Sequence, residues 1–202
     1  GRGLFERTLP PVEDGRVRGV GDREFPDRVV CERPVDGAVA VAAFNWSDEP
    51  RRVRVDPSAY VGSGDSQDSD RSAFAWPALG PTDPPNGIAR GPVEREVAPH
   101  GCLLVHCAAA PAASRPTPVG ADHLANGASQ VADVTWTDDT LSVRLDADAP
   151  MELAVAVSES WRLRDSTRSD SHSERTSAGD GADAVTLTAA PGTNEFEFER
   201  RE

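Results

Sequence analysis

Lysine is absent from this chain: all 21 basic residues are arginine. Isoleucine occurs once (Ile88), methionine once (Met151), and aromatic residues make up only 5%. Bulky apolar side chains are therefore scarce, and any core must be filled mainly by alanine and valine. Cysteine is limited to Cys31, Cys102 and Cys107, an odd number that forms no disulfide framework. If residues 102–107 are a strand, Cys102 and Cys107 point to opposite faces and cannot bridge each other. Free thiols favour a reducing, cytoplasmic location. Apolar runs never approach the ~18 residues of a membrane span. The opening GRGLFERTLPP has no apolar signal core, and Gly1 stands where a start would carry Met. A fragment of a longer protein is expected on that ground, and secretion directed by an upstream leader stays open.

Charge is plentiful but lopsided. Thirty-four acidic residues against 21 basic ones give a net −13 and a pI near 4.7 over 202 residues. Such a surface repels nucleic acid and anionic membranes, so neither is an expected partner. Carboxylates at this density keep a protein hydrated where salt competes for water, which points to a salt-adapted source. A GC-rich genome also favours arginine over lysine. At 202 residues the chain is too short for a complete (β/α)₈ barrel of roughly 250 residues.

What patterning there is has a period of two. Val53 and Val55 alternate with Arg52, Arg54 and Asp56, and Leu141, Val143 and Leu145 alternate with Ser142, Arg144 and Asp146. Phe196 and Phe198 do the same against glutamates, and Met151–Val157 repeats the pattern with a more apolar second face. Half-buried antiparallel strands read this way. The runs AVAVAAF (38–44) and CLLVHC (102–107) are continuous and short, as central strands are. No stretch carries a helical stripe, and 17 Gly with 17 Pro supply many short turns. The fold class is all-β.

Two antiparallel β-sandwich-like modules are expected, joined by a Pro/Ala linker, AAAPAASRPTP (108–118). Residues 1–26 read as a connecting segment from an upstream domain, 27–110 as the first module and 117–202 as the second. About six strands are expected in the first and five in the second, which opens with the hairpin VTWTDDTLSVRL turning at Asp138-Asp139. Two acidic stretches, 62–72 and 164–183, lack apolar anchors and are expected to be mobile loops.

Chemistry-bearing motifs are few. His100, Cys102 and His106 share one strand face, a conceivable zinc trio. However, the two histidines would lie ~20 Å apart, and no CxxC accompanies them. The acidic run Asp65–Asp70 lacks the mid-loop glycine and the closing glutamate of a calcium loop, where Asp70 and Trp76 stand instead. No metal site and no cofactor are expected. No nucleophile elbow, phosphate loop or HExxH occurs, and no pair of carboxylates is marked as facing, so no catalytic residue is nominated. Of the four tryptophans, Trp136 reads as core, and Trp46 and Trp76 are the candidate carbohydrate contacts.

The segment VVCERPVDGAVAVAAFNWSDEPRRVRVD (29–56), with its Phe44-Asn45-Trp46-Ser47 turn, resembles the start of the C-terminal β-domain of alpha-galactosidase-like (melibiase-type) glycoside hydrolases. VEREVAPHGCLLVHCA (93–108) is similar to the closing strand pair of that module. Ala73-Phe74-Ala75-Trp76 sits where such modules carry an aromatic element, without its usual preceding acid. Residues 120–145 resemble an appended module of related sequences, and LFERTLPPVEDG (4–15) a barrel exit. The resemblance spans roughly 29–157 and implies a non-catalytic accessory region that packs on and stabilises a catalytic barrel. Homo-oligomerisation and carbohydrate contact are further roles it leaves open. The family's catalytic aspartates lie in motifs absent here, one of them requiring lysine. The rival readings are a free-standing carbohydrate-binding module and a cell-surface β-sandwich.

The charge count yields the first prediction. Raising chloride salt from 0.1 M to 1 M shortens the screening length from ~10 Å to ~3 Å and relieves carboxylate repulsion. The melting temperature should rise over that range, equally in sodium and potassium chloride. A melting temperature independent of chloride would remove the salt-adaptation reading.

Overall fold

The strand patterning is realised throughout the computed structural model, which describes residues 16–17, 25–33, 35–61, 73–79, 88–110, 115–122, 130–166, 173–178 and 182–201. The first strands in the chain are β1 (Arg16–Val17), β2 (Phe25–Pro26), β3 (Arg28–Glu32), β4 (Val39–Phe44) and β5 (Arg51–Val55). A 3₁₀ turn at Pro57–Ala59 precedes β6 (Ala73–Leu79), β7 (Ala89–Arg90), β8 (Val93–Val97) and β9 (Cys102–Ala109). The second half holds β10 (Thr117–Ala121), β11 (Val131–Trp136), β12 (Thr140–Ala147) and β13 (Met151–Val157). It ends with β14 (Trp161–Ser166), β15 (Ser173–Ala178), β16 (Ala182–Ala189) and β17 (Gly192–Arg200). All strand pairings among the described residues are antiparallel. The fold is all-β, and no described helix is long and apolar enough to cross a membrane.

Four sheets stack as layers. The outer pair β5–β8 covers one face of the five-stranded sheet β3-β4-β9-β6-β7. Between them Val41, Val55, Val97, Leu103 and Val105 form the first core, each buried to 1% exposure or less. In the second half β10-β13-β16-β15 faces β11-β12-β17-β14 across a larger core of Leu141, Leu145, Leu153, Leu187, Phe196 and Phe198. A third core joins the two halves. Ala38, Phe74, Trp76 and Ala108 from the first meet Val119, Ala154, Ala156 and Ala184 from the second.

This third core explains the continuous apolar runs. Along β13, Leu153 and Val155 point into the larger core while Ala154 and Ala156 point into the junction. In β9, Val105 and Cys107 enter the first core, whereas Ala108 enters the junction. A strand covered on both faces has no polar side left to show. The expected hairpin holds in detail: β11 and β12 pair with Trp136 opposite Leu141, and Thr137 N–H donates to Thr140 O at 2.9 Å around Asp138-Asp139.

Three expectations need correction. The Pro/Ala linker is shorter than read, because β9 continues through Ala109 and β10 begins at Thr117. Pro118 is tolerated there because β10 is an edge strand, free of a second ladder that would need its N–H. The acidic stretch 164–183 is not one loop. β14 runs through Ser166, and β15 pairs along its whole length with β16, from Ser173 opposite Leu187 to Ala178 opposite Ala182. An edge strand is held by backbone hydrogen bonds and needs no apolar alternation of its own. Finally, the strands number more than eleven: seven from β3 to β9 and eight from β10 to β17. The expected loop 62–72 lies outside the described residues, as does most of the connecting segment 1–26.

Gly120 brings β10 directly against His106 of the first half. A methyl group there would overlap the His106 side chain at Cβ and Cγ. Gly120→Ala should therefore destabilise the fold by at least about 1–3 kcal/mol, as overpacking does. Adding His106→Ala should recover much of that loss, giving a favourable coupling between the two sites in denaturant titrations. An unchanged midpoint for Gly120→Ala would show that the sheets do not meet here.

Candidate functional site

The turn after β4 is built by one side chain. Asn45 is fully buried, and its Nδ2 donates to Glu49 O, Val97 O and Ala98 O at 2.8, 2.9 and 3.0 Å. Its Oδ1 accepts from the Ser47 backbone N–H and hydroxyl at 3.1 and 2.6 Å. The Asn45 N–H donates to Gly101 O at 2.9 Å. Asn45 thereby ties the turn 44–50 to the turn 97–101, about fifty residues away in sequence. An amide with donors and acceptor all engaged is stable when buried.

On this platform stands Trp46, 36% exposed and stacked on Phe44 with ring centroids 5.0 Å apart and planes 17° from parallel. Beside it, His100 occupies the left-handed region at φ +55° and its Nε2 lies 3.1 Å from Asp48 Oδ1. Trp76, the other candidate sugar contact, is 3% exposed inside the junction core, tilted against His106 at 5.9 Å. Buried there, it presents no face to a ligand, so that nomination is corrected.

The three members of the conceivable zinc trio are dispersed. His100 is exposed in the turn before β9, Cys102 is half-buried, and His106 is buried against the second half of the chain. Among the described residues no group of three or more His, Cys, Asp or Glu side chains is placed to hold a metal. None of the three cysteines is in a disulfide. Burial pushes Cys107 up to about 12, helped by the Asp56 charge, and burial also raises Cys31. Neither thiol is poised as a nucleophile at neutral pH.

The polar groups that matter most at the junction were invisible to patterning. Arg33, only 3% exposed, grips Asp36 with Nε and one terminal nitrogen, both at 2.6 Å. The same guanidinium donates to Pro118 O at 2.6 Å, crossing from the first half to the second. Asp36 Oδ1 also accepts from the Ala38 N–H at 3.2 Å, closing the β3–β4 turn, where Gly37 takes φ +72°. Above this pair opens a cleft of about 180 Å³ between the halves, bordered by Asp36, Ala108, Ala109, Arg115, Thr117 and Trp136. Trp136 is partly buried on the larger core, and its indole N–H donates to Pro116 O at 3.2 Å. A side-chain amide turn, a junction and a cleft cannot be read from hydrophobic alternation, because all three depend on which faces meet.

His106 lies on β9, the strand that also brings Ala108 and Ala109 to the cleft, with its Nε2 buried and unpartnered. Burial, and secondarily the Arg33 charge, lower its pKa to about 3, while a hydrogen bond to the Ala121 backbone pulls the other way. In the unfolded chain the same imidazole titrates near about 6.5. Its folded pKa is depressed, so the unfolded state takes up the proton first as pH falls. The associated stability is present above pH ~6.5 and is lost on acidification, by at most about 1.4 kcal/mol per pH unit. Unfolding free energy should therefore drop between about pH 6.5 and 5.5, before most carboxylates protonate. His106→Leu should flatten that limb. A wild-type chain with no decline there would mean that His106 is solvated.

No protein-family model, curated protein or solved structure matches this chain, so its functional reading rests on the residues and geometry above.

Proposed function

We propose that the chain is the non-catalytic C-terminal accessory region of an alpha-galactosidase-like glycoside hydrolase, packing on and stabilising the catalytic barrel of that protein. One observation carries the reading. The two segments on which the resemblance rests, 29–56 and 93–108, are joined in space by the buried Asn45 amide, with Nδ2 on Val97 O and Ala98 O. The Asn-x-Ser turn and the Pro-His-Gly turn thus act as one structural device, as motifs that belong to one module should. Stacked β-layers with one tryptophan about a third exposed suit a packing and contact role better than a reaction centre. Three cysteines outside any disulfide agree with a cytoplasmic setting, and the carboxylate-rich surface with a salt-adapted one.

The second reading, a free-standing carbohydrate-binding module, draws on Trp46, whose ring is exposed and held flat by Phe44. Aromatic faces of this kind stack on pyranose rings.

The reading frame 5′ to the Gly1 codon separates the two. A frame encoding a (β/α)₈ barrel with paired carboxylates supports the accessory role, and a secretory leader or a stop codon there overturns it. In parallel, the isolated chain should show no turnover of aryl α-galactosides above background. Glycoside cleavage needs two positioned carboxyl groups, and none are nominated here. Turnover abolished by one Asp or Glu substitution would end the non-catalytic reading.

A further inference from the structure

We propose that the cleft between the two halves is a binding site for a single neutral sugar ring, an inference that goes beyond the accessory role proposed above. Its volume of about 180 Å³ lies below the ~300–1,000 Å³ of pockets for drug-sized ligands, so it takes one ring and not a chain of them. The lining has three parts with different chemistry. Trp136 supplies an aromatic wall whose orientation is fixed by the indole bond to Pro116 O. Ala108 and Ala109 border the cleft without side-chain bulk. Asp36, Thr117 and Arg115 supply an acceptor, a hydroxyl and a fork of donors around the rim.

That division matches a pyranose, which has an apolar C–H face and a girdle of hydroxyls. The C–H face suits the indole wall, because the ring's π-system attracts polarised hydrogens. The polar groups retain capacity for a ligand. Asp36 Oδ2 accepts a single bond, from Arg33. The Thr117 hydroxyl makes only a long contact, 3.4 Å, to Arg115 O. Arg115 is exposed and lines the cleft. A neutral ligand is favoured over an anionic one because the chain as a whole carries −13, while at the wall Asp36 is already paired with Arg33. Preorganisation comes from the junction itself: the Arg33–Pro118 bond fixes the Asp36 turn relative to β10, so the walls are set before a ligand arrives.

Saturation-transfer NMR on the whole 202-residue chain, with galactose, glucose and mannose each added alone, tests the site. Transfer to the ring protons of at least one sugar is expected. Ala109→Leu, which fills the cleft from an exposed strand position, should weaken that binding about tenfold, the scale of one lost stacking contact. Arg115→Ala should weaken it several-fold, and Trp46→Ala should leave it unchanged. If Ala109→Leu lowers the melting temperature, the exposed Arg115→Ala carries the test alone. No transfer from any of the three sugars overturns the proposal, and so does binding that survives both cleft variants or vanishes with Trp46→Ala. An upstream frame without a barrel would end the accessory reading while leaving this result standing.

Discussion

The distance at which the two central sheets can approach each other governs the rest of the molecule. Sheets pack face to face at about 10 Å when ordinary side chains interdigitate. Here the facing positions are largely Ala38, Ala108, Ala154, Ala156 and Ala184, with Gly120 where even a methyl would collide with His106. Small residues make such a face thin, and the few large ones, Phe74 and Trp76, then have somewhere to lie. Both sheets are consequently buried on two sides. That forces the continuous apolar runs of β4, β9 and β13, and pushes the alternating polar patterns outward to β5, β12 and β17.

Polar groups trapped at this junction give it direction. An alanine-rich face is smooth and would allow many registers of one sheet on the other. The bond from Arg33 to Pro118 O and the seat of His106 on Gly120 each permit only one. A buried ion pair such as Arg33–Asp36 contributes little net stability, since desolvation offsets much of its attraction, but breaking it leaves a buried charge without a partner. Misaligned arrangements are penalised in that way. The cleft beside Asp36 follows from the same geometry, because it is the space the two halves leave where the linker departs.

Much of the fold was legible because alternation reports directly on one-sided burial. Val53, Val55, Leu141, Val143, Leu145, Phe196 and Phe198 were placed on strands by periodicity alone, and those strands exist. Trp76 was misread because its neighbours Phe74 and Ala75 are apolar too, so no period revealed which face it took or that a second sheet would cover it. β15 was missed since Ser173–Ala178 has no apolar residue but its last, and its pairing with β16 is a property of the partner backbone. Of the candidate site, Trp46 was found because a turn offers a tryptophan no core. Asn45, Arg33, Asp36 and Arg115 could not be found, because a hydrogen-bonding residue announces its role only when its acceptors are in place.

The missing lysine acquires structural meaning once those acceptors are known. Arg33 uses two nitrogens on one carboxylate and shares one of them with a carbonyl, a planar fork that an ammonium cannot reproduce. Arg28 spans Tyr60 Oη and Arg54 O at 2.7 and 2.8 Å with separate terminal nitrogens. Arg90 lies over the Phe74 ring, its Cζ 5.1 Å from the centroid, a stacking geometry suited to a guanidinium. On the outer face of β14 and β17, Arg162 and Arg164 meet Glu199 and Glu197, pairs exposed enough to be worth only ~0–1 kcal/mol each. Their value lies elsewhere. On a chain of net −13, each such cation removes repulsion between neighbouring glutamates that would otherwise face one another along β17. Arginine also holds less water around its charge than lysine does, so it can sit against an aromatic ring or inside the junction and still offer several donors. A protein built from carboxylates on the outside and alanine within has few other means of joining its layers, and arginine supplies them.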